Sequence, residues 1–99
     1  MEITQSVLNG ELILFLRGKL FSPTAPLLEN AIEKALQSSN CIVIDFKEVS
    51  FLASSGLRVL LAAEKKVREK DGKLTIRNPS ELVKKVFVLT GFSNILNIE

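Results

Sequence analysis

CIVIDFKEVSFLASSGLR, residues 41–58, opens with six residues, Cys41 to Phe46, that are mostly β-branched or aromatic and carry one charge, at Asp45. A run of that kind is a strand covered on both faces, which places it centrally in a sheet. Phe51, Leu52 and Ala53 then return the chain to the apolar interior, and Ser54-Ser55-Gly56 precede Leu57, Leu60, Leu61 and Val67, which recur at about the helical period. A helix is therefore expected to start within the serine pair, with Ser54 or Ser55 as its N-cap, because a serine hydroxyl can accept a hydrogen bond from a free first-turn N–H. The same position has a second reading. A helix N-terminus has unpaired N–H groups and the positive end of the helix dipole, and so suits an anion. A phosphate on this serine would add roughly −1.5 to −2 charges and three acceptor oxygens to one patch of surface.

Toward the N-terminus, Gly18-Lys19-Leu20-Phe21 leads into Ser22-Pro23-Thr24-Ala25-Pro26. Thr24 is the expected N-cap of a helix running to about Ser38, since that leaves Pro26 in the first turn, where its missing N–H has no helical partner to lose. Ala25, Leu28, Ile32 and Ala35 or Leu36 form the buried stripe of that helix, and Glu29, Asn30, Glu33 and Lys34 face water. Further back, Ile3 and Val7 alternate with Thr4 and Ser6 before Asn9-Gly10, the strongest short hairpin signal. The second hairpin arm, Glu11 to Arg17, is apolar from Leu12 to Leu16 and is expected to be covered on both faces.

Toward the C-terminus, Asp71-Gly72 stops the helix that follows the serines, and Leu74 and Ile76 alternate with Thr75 and Arg77 in a further strand. Asn78-Pro79-Ser80-Glu81 reads as a helix start with an asparagine cap and proline at the first position, and that helix should end at Gly91. Ile95, Leu96 and Ile98 suggest a short final strand. The order predicts one α/β domain over residues 1–99: a mixed sheet of four to five strands with helices packed mainly on one side and right-handed crossovers between parallel strands.

Composition narrows the function. With 99 residues the chain holds one core, and a net charge of +2 is too small to argue for nucleic acid. There is no Trp or Tyr to stack on bases. Lys65, Lys66, Arg68 and Lys70 are interleaved with Glu64, Glu69 and Asp71, as on a solvated helix face. No stretch approaches the roughly 20 apolar residues of a membrane span, and Met1-Glu2-Ile3 begins a strand pattern rather than a signal sequence, so a cytoplasmic domain without membrane insertion is expected. With no His, no phosphate-binding glycine loop and no carboxylate cluster at metal-ligand spacing, no catalytic residue, metal or cofactor is assigned. The lone Cys41 lies in the apolar run and reads as a small core residue.

The pattern VIDFKEVSFLASSGLRVLL, with GKLFSPTAPLLENAI before it and NPSELVKKVFVLTGF after it, resembles the STAS domains of bacterial anti-sigma factor antagonists. The resemblance implies the same α/β architecture and a protein that binds an anti-sigma factor, itself a protein-serine kinase, and so releases a sigma factor. It makes Ser54 the phosphoacceptor, phosphorylated by that kinase with its own ATP and magnesium and reset by a metal-dependent serine phosphatase. Phe21, Ser55, Gly56, Leu57 and Arg58 become the partner-binding surface. The chain departs from the family pattern at Ala53, where an aspartate is usual, at Arg58, where a small residue is common, and at Phe21, where an acidic residue is common. A second reading, favoured by Ala53, is a constitutive STAS scaffold of a stress-sensing or lipid-transport assembly, without phosphorylation. The expected assembly state is a monomer or weak homodimer.

Overall fold

Asn9 and Gly10, at φ of 53° and 82°, turn β1 (Glu2–Leu8) back against β2 (Glu11–Leu20), as the dipeptide requires. In this computed structural model, which describes residues 1–99, the chain continues through α1 (Ala25–Leu36), β3 (Cys41–Leu52), α2 (Ser54–Glu69), β4 (Lys73–Arg77), α3 (Glu81–Leu89), a 3₁₀ turn at Phe92–Asn94 and β5 (Asn97–Ile98). The five strands lie in the order β1-β2-β3-β4-β5. Only the β1–β2 pair is antiparallel.

Alternation along the strands sends Leu12, Leu14, Leu16 and Leu20 of β2 and Ile42, Ile44 and Phe46 of β3 to one face. There they join Leu28 and Ile32 of α1, Leu57, Leu60, Ala63 and Val67 of α2, and Val83 and Phe87 of α3 in a single core. Phe46 and Phe87 are fully buried with ring centroids 6.0 Å apart. Burying each such side chain contributes about 1.5–3 kcal/mol. The expected mixed sheet with helices on one side is what the structure has, and no helix is long and apolar enough to cross a membrane.

On the helix-free face, Ile13, Val43 and Thr75 form a cross-strand row that is buried without a helix over it. Arg77 lies beside that row and pairs with Glu11 and Glu99, each at 3.8 Å, so the ion pairs shield its edge. In the next row Phe15 faces Asp45, and nothing covers it: Phe15 is 41% exposed. The expectation of cover on both faces thus holds for Ile13 and fails at Phe15, because all three helices occupy the opposite face. Asp45 itself is buried and satisfied, its carboxylate accepting from Lys47 N at 2.9 Å and Asn78 Nδ2 at 3.2 Å. Asn78 is therefore not the cap of α3. Ser80 is, with its hydroxyl accepting from Val83 N, while Asn78 takes a left-handed turn at φ 57°. Gly91, at φ 79°, closes the turn after α3 as expected.

Candidate functional site

β3 runs well past β4, which pairs only with Cys41–Asp45, and continues beside β2 to Leu52. Along that extension β3 gains two residues on β2. Phe15 faces Asp45 but Arg17 faces Glu48, and Gly18 faces Val49 but Lys19 faces Phe51. Each extra residue is a bulge that reverses which face the following side chains take. Val49 and Leu52 consequently point into the core, and Phe51 stands on the surface, 45% exposed.

The N–H of Ala53 donates to Leu20 O at 2.9 Å, so this bond fixes the ends of β2 and β3 side by side. One residue beyond it lie Phe21 on one strand and Ser54 on the other. Phe21 is half-buried and meets Phe51 edge-on, with centroids 6.4 Å apart and rings at 85°. The Phe21 turn is held by Thr24, whose Oγ1 donates to Lys19 O at 2.6 Å and accepts from Phe21 N at 3.0 Å. Thr24 occupies the N-cap position of α1 as expected, but its hydroxyl serves this turn rather than the helix.

The start of α2 differs from the expectation. Ala53, extended at φ −106° and ψ 172°, is the N-cap, and its carbonyl accepts the first helical bonds from Gly56 and Leu57. The bond to Leu20 O holds Ala53 extended and moves the cap one residue upstream of the serines. Ser54 is then the first helical residue and is exposed, while the Ser55 hydroxyl is buried without a hydrogen-bond partner. No acidic residue lies in the first turn. Gly56 is buried against the sheet: a Cβ there would sit 2.6 Å from Leu20 Cγ and 2.9 Å from Leu52 Cδ1. Leu57 belongs to the core. Arg58, one turn below Ser54, is exposed and takes part in none of the ion pairs.

The candidate residues therefore divide. Phe21, Ser54 and Arg58 share the surface at the carboxyl end of β3, Ser55 is partly exposed, and Gly56 and Leu57 shape that surface from beneath. Phe51 belongs with the first group, although its place beside Leu52 and Ala53 predicts an interior position. The polar Lys47, Glu48 and Ser50 interrupting the apolar pattern are the signal that the strand is irregular there.

Fold and site together define a one-sided, five-stranded α/β domain that displays a serine at the start of the helix leaving its central strand. The chain belongs to the STAS domain family, whose model matches residues 1–99. An anti-sigma-B factor antagonist of Listeria monocytogenes is 31% identical over 87 residues, which are 87% of this chain and 76% of that protein. The crystal structure of an anti-sigma factor antagonist from Mycobacterium paratuberculosis superposes with a TM-score of 0.88 at 26% identity, covering 98% of this chain and 83% of that one. The anti-sigma factor antagonist SpoIIAA in its unphosphorylated form shares the fold, with a TM-score of 0.83 at 22% identity over 99% of this chain and 88% of that one.

Proposed function

We propose that this protein is an anti-sigma factor antagonist switched by phosphorylation at Ser54. Unphosphorylated, it binds an anti-sigma factor of the serine-kinase type through Phe21, Phe51, Ser54, Ser55 and Arg58, on a surface shaped by Gly56 and Leu57, and the sigma factor is released. The observation that carries the reading is the exposed Ser54 at the first residue of α2, one residue past the bond that joins the ends of β2 and β3, where Phe21 and Phe51 pair. The kinase transfers the γ-phosphoryl group of its ATP to Ser54 Oγ; the hydroxyl proton leaves, the bond to the β-phosphate breaks and ADP departs. The added charge lies where the helix start tolerates it, so the fold survives and the docking surface changes. A loss of about 3 kcal/mol in binding lowers affinity more than a hundredfold. A metal-dependent serine phosphatase hydrolyses the ester and resets the switch.

Affinity capture from a lysate of the source organism tests this, using the wild type and the Ser54→Ala, Ser54→Asp and Phe51→Ala variants. Wild type and Ser54→Ala should retain an ATP-binding serine kinase that phosphorylates wild type but not Ser54→Ala, and Ser54→Asp and Phe51→Ala should lose it. If all four hold the same non-kinase partner, the switch is refuted and the scaffold reading, which the carboxylate-free cap at Ala53 favours, takes its place.

A further inference from the structure

We propose that Arg58 is the intramolecular receptor of the phosphate on Ser54, so that modification withdraws the guanidinium from the docking surface as well as adding charge to it. The inference rests on Ser54 being the phosphoacceptor and concerns what this chain does with the modified side chain. Ser54 and Arg58 are four residues apart in one regular helix, so their Cβ atoms are about 5–6 Å apart on the same face. Both are exposed, and Arg58 has no competing carboxylate in any ion pair.

The nearby charges leave this pairing open. The first turn of α2 has no acid, and Asp45 is occupied by Lys47 N and Asn78. Lys19, opposite Phe51 at the end of β2, is another cation at this end of the sheet, and being common to the Arg58 protein and its variants it does not contribute to a difference between them. The amides of Ser54 and Ser55 precede the first helical bonds, which begin at Gly56 N. A phosphoserine at 54 thus has free amides on one side and an unpaired guanidinium on the other, and Arg is the side chain whose planar fork matches phosphate oxygens in pairs. Unmodified, the same guanidinium is free to meet a carboxylate of the partner.

Phosphoserine placed at position 54 by genetic encoding tests this without any kinase, so failure here is separable from failure of the phosphorylation reading. The ³¹P resonance is titrated in Arg58, Arg58→Lys and Arg58→Gln proteins. The second ionisation of the phosphate, ordinarily near 6, should have its midpoint lower by about 0.2–0.4 pH unit in the Arg58 protein than in Arg58→Gln, with Arg58→Lys between them. The difference should shrink at about 1 M salt. Equal midpoints in Arg58 and Arg58→Gln proteins, with both folded by far-UV circular dichroism, overturn the proposal.

Discussion

Replacing Gly56 by alanine adds one methyl group where α2 rests on the sheet, and the structure fixes what that group meets. The new Cβ would lie 2.6 Å from Leu20 Cγ, 2.9 Å from Leu20 Cδ2 and 2.9 Å from Leu52 Cδ1. Carbon atoms in ordinary contact are about 3.5–4.0 Å apart, so the helix start or Leu20 must move by about 1 Å. Leu20 is completely buried, so its movement must displace other core side chains. Overpacking of this kind costs about 1–3 kcal/mol, and alanine in place of glycine in a helix returns up to about 1 kcal/mol. The net expectation is a loss of about 1–2 kcal/mol, read by urea unfolding and as a fall in Tm of about 5–15 °C. In a Leu20→Ala background the two contacts with Leu20 disappear and only the one with Leu52 Cδ1 remains, so a double-mutant cycle should return about 1 kcal/mol of coupling. A Gly56→Ala protein as stable as wild type, or a cycle with no coupling, would refute the claim that glycine is required for close approach of helix and sheet.

Two further outcomes follow from hydrogen bonds around the site. Thr24→Val removes the hydrogen bonds of the Thr24 hydroxyl and leaves the Phe21 N–H without its acceptor; it should cost about 1–2 kcal/mol in urea unfolding and speed hydrogen exchange at the Phe21 amide. Ser55→Ala deletes a buried hydroxyl that has no partner, so it should be neutral or raise stability by up to about 1 kcal/mol, and a loss above that would show that the hydroxyl is engaged.

Much of the architecture was legible because it rests on local chemistry. Asn9-Gly10 specifies its own turn, the run from Cys41 to Phe46 has the composition of a central strand, and Leu28, Ile32, Leu60 and Val67 repeat at helical spacing. What stayed hidden depends on contacts between distant segments. The cap of α2 is Ala53 because Leu20, more than thirty residues upstream, bonds its amide; no local preference would choose alanine there. Phe51 is exposed because the register of β3 against β2 slips twice; Lys47, Glu48 and Ser50 mark the strand as irregular there but do not say which face each later side chain takes. Asn78 looked like a cap, but Asp45 claims its side chain across the sheet. Gly56 sits inside the motif that marks the site, and only the packing shows that it faces inward.

The strand order, identical to the order of synthesis, has a consequence for the nascent chain. No later strand inserts between earlier ones, so each new strand joins an edge that already exists, and the surface from Phe21 to Arg58 is complete before β4 leaves the ribosome. Until Lys73–Arg77 arrives, the apolar edge of β3 from Cys41 to Asp45 is unpaired, a template for pairing with other chains. At ordinary elongation rates that interval lasts roughly one to a few seconds, and during it the exposed strand edge is open to pairing with other chains.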